Sequence, residues 1–355
     1  MKLSWIVIVV CVLAALLTGS YLSYEEDNEI MYVIPTDVKK KQISHDSALS
    51  AIFVHIGKTG GSSARCILHT YLREEICKQE DNRKKFASKA LGEGYFAIRE
   101  RTNAMIHTDK VKVMNNETLE KFKVPNNTTT GNFIRDNFRI AIVSIRDPVE
   151  RIVSWFLYTK KFKQRGIIEE LFGPIKCNYT TTSEFFSDTA APKEARTECQ
   201  KIAVACVSGE MNCGGHNNKN FTYYLQGLVD DDRDELEQLP SIRIFAIRNE
   251  EKWQDMEKTN LILGGSAQAF TWQTIENTVM RKSREDRTIH DADRVALCTL
   301  LCSDLYYYSK VVHQAENLHR MEKGKAIKMA NKSCRVKNFA SLCPEYNLEF
   351  LNQYR

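Results

Sequence analysis

Residues 53–63 read FVHIGKTGGSS. The stretch begins inside a short apolar run, residues 51–56 (AIFVHI), that breaks into a glycine-rich turn. A run with no polar alternation is the pattern of a strand covered on both faces. Residues 63–75 then take helical spacing. Glycines in such a turn let backbone N–H groups point inward around an anion. The following helix adds its partial positive end, Lys58 adds a full charge, and Thr59, Ser62 and Ser63 offer hydroxyl donors. The segment therefore reads as an oxyanion cradle at the carboxyl end of a strand, where open α/β sheets bind ligands. Its plain alternative is an ordinary strand–helix turn with a solvated lysine. The residue order is not that of a Walker A loop, GxxxxGK[ST], because Lys58 precedes Gly60 and Gly61. No apolar strand ending in Asp stands out as a magnesium partner, so a nucleotide kinase or phosphotransferase is poorly supported.

Working outward, residues 142–156 read IVSIRDPVERIVSWF. Residues 139–145 form a second buried strand closed by Arg146. Pro148 sits where a first helical turn tolerates it, and residues 150–163 continue as a helix. Arg146 and Ser154 lie eight apart across this turn and can converge on one anion, an arginine fork with a hydroxyl suiting a phosphate monoester. Arg151 is expected to pair with Asp147 and brace the turn. Residues 242–247 give a third strand, and residues 249–259, 272–281 and 291–319 read as helices. Residues 115–132 and 176–220 read as irregular surface. The expected fold is α/β, a three-layer open and mainly parallel sheet with helices on both faces and a P-loop-like phosphate-binding loop.

The 355 residues carry 50 Lys+Arg against 45 Asp+Glu, a formal charge of +5, too mild for a protein that coats nucleic acid. One long apolar run, residues 5–17 (WIVIVVCVLAALL), excludes a multi-span membrane protein. Extended to Leu22 it reaches the lower end of the roughly 17–25 residues that span a bilayer. Lys2 precedes it, and Glu25, Glu26, Asp27 and Glu29 follow, which predicts a cytosolic tail (1–4), a signal-anchor helix (5–22) and a body across the membrane. A cleaved signal peptide is the competing expectation. Residues 23–50 read as a stem, 51–330 as the main domain and 331–355 as a disulfide-bearing extension. Beyond Cys11 the cysteines are even in number, and sequons stand at Asn116, Asn126, Asn127, Asn178, Asn220 and Asn331. Both features fit an oxidising lumen. The spacing predicts disulfides Cys206–Cys213 and Cys334–Cys343, with Cys177–Cys199 as a third. Cys298 and Cys302 share a helix face and are expected to pair elsewhere or stay buried. No Cys/His spacing of a metal site is present, so no metal is expected.

HIGKTGGSS followed by SIRDPVERIVSWF resembles the paired signatures of membrane-bound, Golgi-type carbohydrate sulfotransferases, nearest to the heparan sulfate 2-O-sulfotransferase-like group. The two motifs span about a hundred residues. A looser similarity covers residues 51–320, including FAIRNEEKW at 245–253. The resemblance implies a sulfotransferase using 3′-phosphoadenosine 5′-phosphosulfate (PAPS) to sulfate a glycan hydroxyl from a Golgi membrane, single-pass type II, with its catalytic domain luminal. It places Lys58, Thr59, Gly60, Gly61, Ser62 and Ser63 on the 5′-phosphosulfate, Arg146 and Ser154 on the 3′-phosphate, and Arg281 on the nucleotide from a late basic segment. Lys160, Lys161, Lys163 and Arg165 would suit an acidic glycan acceptor. A catalytically inactive glycan-binding relative is the main alternative.

Sulfuryl transfer needs a base for the acceptor proton, in-line placement, and charge stabilisation on the leaving phosphate. Lys58 supplies the last. Of the eight histidines, His107 ends the short apolar stretch Ala104, Met105, Ile106 between the two motifs. The resembling family carries its catalytic histidine in this interval, often within an HxH or HH pair, whereas here His107 stands alone. His107 is thus the expected base, with His55, inside the first strand, expected as a core residue. Glu74 and Glu75 are carboxylate alternatives.

Overall fold

The computed structural model describes residues 51–57, 59, 68, 96–107, 109–115, 118–164, 177, 179–214, 217–229, 242–267 and 287–354. Six strands form one sheet: β1 (Ala51–His55), β2 (Thr102–His107), β3 (Lys110–Asn115), β4 (Thr118–Lys123), β5 (Ile140–Ile145) and β6 (Arg243–Arg248). Their order is β4-β3-β2-β1-β5-β6. β1 runs parallel to β2 and β5, and β5 parallel to β6. β3 and β4 close the β2 side as an antiparallel ribbon.

The central strands are apolar because both faces are covered. Ile52 and Val54 of β1, with Ala141, Val143 and Ile145 of β5, enter one apolar cluster, while Phe53, Ile140 and Ile142 enter another. The first cluster takes in α3 (Pro148–Gln164). The second takes in Ala97 and Ile98 of α1 (Ala97–Arg101). The remaining helices are α2 (Thr130–Asn137), α4 (Thr182–Thr189), α5 (Glu198–Ser208), α6 (Phe221–Leu225), α7 (Lys252–Ile262), α8 (Asp291–Leu300), α9 (Cys302–Gln314) and α10 (Arg320–Ser333). Met256 of α7 joins the second cluster. Beyond α10, Phe339 and Leu351 are buried in the first.

Several expectations change. Residues 115–132 are not irregular: they hold β4 and the start of α2. The ribbon was hidden because KVKVMN alternates Lys with Val, the signature of a half-buried strand, rather than forming an apolar run. Residues 176–220 hold α4 and α5, each opened by a capping box, Thr181 with Glu184 and Thr197 with Gln200. The capping pattern is in the sequence, among hydroxyl and amide residues that also mark loops. The segment expected as helix over 291–319 is broken at Leu301 and again at Ala315.

The disulfides are Cys177–Cys199, Cys206–Cys213, Cys298–Cys334 and Cys302–Cys343. The expected Cys334–Cys343 pair is therefore wrong. Cys298 and Cys302, one turn apart, each reach a different cysteine of the C-terminal segment. They close loops of 36 and 41 residues in place of one short loop. Longer loops lose more unfolded-chain entropy when closed, roughly 3–4 kcal/mol each in the loop-closure picture. Cys66 and Cys77 lie outside the described residues, as do the leader and stem. Among the described residues no helix is long and apolar enough to cross a membrane.

Candidate functional site

The chain leaves β1 to form β2 on one side and returns to pair β5 on the other. That reversal opens a crevice at the carboxyl ends of β1 and β5, the place where ligands sit in open α/β sheets. His55 is level with Ser144, and Ile145 with Arg248. Gly57, Arg146 and Asn249 therefore stand along one rim. Thr59 ties the loop after β1 to the floor of this crevice. Its buried hydroxyl lies 2.7 Å from the Ile56 carbonyl and 2.7 Å from Ser144 Oγ. Ser144 Oγ in turn donates to the Val54 carbonyl at 3.2 Å. Thr59 thus braces the loop. Lys58, Gly60, Gly61, Ser62, Ser63 and Arg281 lie outside the described residues, and so do Glu74 and Glu75.

His55 and His107 end adjacent parallel strands, and their rings stack with centroids 4.3 Å apart. His55 is buried and His107 half-buried. His107 Nδ1 lies 2.9 Å from the His55 carbonyl oxygen. A carbonyl can only accept, so the proton of the neutral ring sits on Nδ1. Nε2 is left as the lone-pair nitrogen, the atom a general base needs. The strand position of His107 was legible in the sequence; its bond to His55 was not, because it depends on which strands are neighbours.

At the other end of the rim a cation cluster surrounds Arg146. Arg146 Nη2 lies 3.4 Å from Glu150 Oε2, and Arg287 Nη2 lies 2.8 Å from the same oxygen. Burial, and then the charge of Arg287, push the Arg146 guanidinium below its ordinary value. Lys252, at the start of α7, is pushed down to about 8 by burial and then by Arg146, against the pull of Glu250. Burial pushes Glu250 up, opposed by Arg146 and Arg248. Burial is the first cause of both downward shifts, and the like charge of a neighbouring cation the second. An arriving oxyanion relieves the second, which suits a phosphate monoester. Ser154 lies half-buried on α3. Arg287 and Lys252 were not singled out in the sequence. Lys252 follows β6 as Arg146 follows β5, a signal that was present in NEEKW. Arg287 has no local signal, since it reaches Glu150 from 137 positions away. An open cavity of about 570 Å³ adjoins Arg287, lined also by His290, Arg294 and Arg335.

Two motif residues turn inward. Arg151 does not pair with Asp147 as expected. It bonds Asp304 of α9 at 2.8 Å, with both side chains 1% exposed. Asp147 instead caps α3, accepting the Glu150 N–H at 3.0 Å, and burial raises its carboxyl from 3.8 to about 6. The Asp147 side chain is too short to reach core-facing Arg151 and cap the helix at once, and the cap wins. Trp155 is fully buried and donates to the Gly214 carbonyl at 2.6 Å. Lys160 is on α3; the side chains of Lys161 and Lys163, and all of Arg165, lie outside the described residues. Among the described residues no cluster of three His, Cys, Asp or Glu side chains could hold a metal ion. No family model matches the chain, and neither a curated protein nor a solved structure matches it.

Proposed function

We propose that the protein is a PAPS-dependent carbohydrate sulfotransferase of the secretory pathway, anchored by residues 5–22 with its body in the Golgi lumen. One observation carries the proposal. The reversal of strand order between β1 and β5 sets Gly57 and Arg146 along one rim, which supports a crevice bordered by the two motifs that suggested a nucleotide carrying phosphates at both ends. The cation cluster supports a 3′-phosphate site made of Arg146, Arg287 and Lys252, with Ser154 one turn along α3 from the Glu150 that holds both arginines. The His107 ring, held through Nδ1 by the His55 carbonyl, supports a base at the far end of the same rim.

In this scheme the acceptor hydroxyl oxygen forms a bond to sulfur as the bond from sulfur to the 5′-phosphate oxygen breaks. The electron pair stays on the phosphate, where Lys58 offsets the growing charge, and the hydroxyl proton passes to His107 Nε2. The test is incubation of the full chain with sulfur-labelled PAPS and a panel of desulfated glycans, without added divalent metal. Label on at least one glycan is expected. No transfer to any of them, together with no binding of 3′-phosphoadenosine 5′-phosphate, would refute the assignment.

A further inference from the structure

The open cavity of about 570 Å³ beside Arg287 is built by two parts of the chain that a disulfide holds together. Arg287, His290, Asp291 and Arg294 line it from the start of α8 and the residues just before, and Arg335 lines it from the turn after α10. Among the described residues that line it, Asp291 is the one acid against three arginines. Cys298, one turn beyond Arg294 on α8, is bonded to Cys334, the neighbour of Arg335. The bridge therefore fixes the two arginine-bearing segments against each other.

Each arginine has partners that use only part of its donor set. Arg335 Nε lies 2.8 Å from Asp291 Oδ1, and both side chains are exposed. Arg294 donates from Nη1 to the Ser333 carbonyl at 3.1 Å, while its Nε is buried with no hydrogen-bond partner. Arg287 holds Glu150 from Nη2 at 2.8 Å. A guanidinium carries five N–H donors, and with Glu150 counted two carboxylates face three such groups.

Arg335 also stands where arginine is disfavoured. The Val336 N–H bonds the Asn331 carbonyl and the Arg335 N–H the Lys332 carbonyl, each at 3.1 Å, closing α10 as a Schellman turn. The residue after the cap of such a turn needs left-handed backbone and is usually glycine. Arg335 takes that conformation at φ 58°, and among the described residues no other non-glycine residue has a positive φ. An exposed ion pair to Asp291 is too weak to account for an arginine there. A ligand held by the guanidinium would account for it.

We propose that this cavity binds a tetrahedral oxyanion, a phosphate or sulfate taken as the free ion or as a monoester, with Arg294 and Arg335 as its two forks and Asp291 as the counter-ion it displaces. Arg forks match the planar pairs of oxygens that such groups present. The site meets the cluster around Arg146 at Arg287, and it does not rest on the sulfotransferase reading.

Calorimetry on the full chain, with 3′-phosphoadenosine 5′-phosphate saturating the donor site, measures binding of inorganic phosphate and of phenyl phosphate. Arg294→Gln and Arg335→Gly are each expected to weaken the anion about tenfold, the loss of a charge-assisted contact. Asp291→Asn should tighten it, by about threefold or more, because the competing carboxylate is gone. Arg335→Gly puts glycine where the backbone favours it, so its melting temperature should equal or exceed the parent's, and lost binding then reports the missing guanidinium. Lys328→Gln/Lys332→Gln, exposed on α10, removes charge elsewhere and should leave anion binding intact. Tighter binding of phenyl phosphate assigns the site to a monoester, and tighter binding of inorganic phosphate to the free ion. The proposal is overturned if the parent binds neither probe, if Arg335→Gly binds as the parent does, if Asp291→Asn fails to tighten binding, or if the α10 variant loses as much as the arginine variants. Should the nucleotide itself not bind, the sulfotransferase reading falls, and the comparison among variants still decides this site.

Discussion

The Arg151–Asp304 pair offers a test in which the two halves of one interaction should behave differently. The pair joins α3 to α9 at 2.8 Å with both side chains 1% exposed. The other Asp304 oxygen accepts the Phe221 N–H at 3.2 Å. Arg151 Nε and Nη1 are buried with no hydrogen-bond partner. Burial pushes the Asp304 carboxyl up, and Arg151 opposes the shift. Asp304→Asn keeps the shape but strands a guanidinium that cannot lose its proton, so it should cost about 3–5 kcal/mol at any pH. At about 2–4 °C per kcal/mol for a body of this size, the melting temperature should fall by roughly 10 °C. Arg151→Met leaves a carboxyl that can neutralise itself. Its folded-state pKa rises further above 3.8. The stability held in the protonated form is complete below the unfolded value and is lost as pH rises through the folded one. Arg151→Met should therefore lie nearer the parent at pH 5 than at pH 8, the loss growing from pH 3.8 upward until the folded-state pKa is passed. The double variant Arg151→Met/Asp304→Leu should recover most of the loss at both. Thermal unfolding of the four proteins at the two pH values decides the matter. Equal damage from the two single variants at pH 5 would refute the reasoning.

Other outcomes follow from the same geometry. His107→Ala should lower turnover by roughly 10²–10⁴ while affinity for 3′-phosphoadenosine 5′-phosphate, read by calorimetry, stays put. Arg146→Ala should weaken that ligand about tenfold or more, the worth of a charge-assisted bond, and should barely change binding of an analogue without the 3′-phosphate. Asp147→Asn keeps an N-cap oxygen that accepts the Glu150 N–H and removes a buried acid. The parent should lose about 3 kcal/mol as pH rises from 3.8 through about 6, and melting curves of the variant should lack that decline. Of the sequons described, Asn126 and Asn127 are exposed in a turn, whereas Asn220 caps α6 and Asn331 accepts the Phe339 N–H at 2.8 Å inside α10. Glycopeptide mapping should find sugar at Asn126 or Asn127 and none at Asn331.

What was legible in the sequence follows the physics of each element. β1, β5 and β6 are short apolar runs because helices cover both faces, and such runs stand out without any knowledge of neighbours. β3 and β4 face solvent on one side, so their lysines hid them. The partner of Arg151 was misjudged because Asp147 is near in sequence, whereas Asp304 is brought near only when α9 packs on α3. For the same reason Cys334 and Cys343 looked like partners until Cys298 and Cys302 were placed against them. Arg287 belongs with Arg146 only through Glu150, a meeting that no local spacing records. His107 was legible as the end of a strand, yet its tautomer depends on the His55 carbonyl of the neighbouring strand.

The motif RDPVERIVSW divides by helical period into residues that hold the body together and residues left partly exposed. From Pro148 to Lys160, the partly exposed positions of α3 are Glu150, Ser154, Tyr158 and Lys160. The first three recur every four residues and so form one stripe. Glu150, at the head of that stripe, holds both Arg146 and Arg287. Arg151 and Trp155, also four apart, lie on the next stripe and are fully buried. A single helix thus carries an ion pair and an indole into the core, and along its other edge a carboxylate that holds the cation cluster and, one turn on, a hydroxyl. The same division explains why Asp147 keeps the cap despite its raised carboxyl. The cap fixes the start of α3, the start of α3 fixes the angle of both stripes, and a helix entering one residue later would rotate Glu150 and its stripe by about 100° away from Arg146.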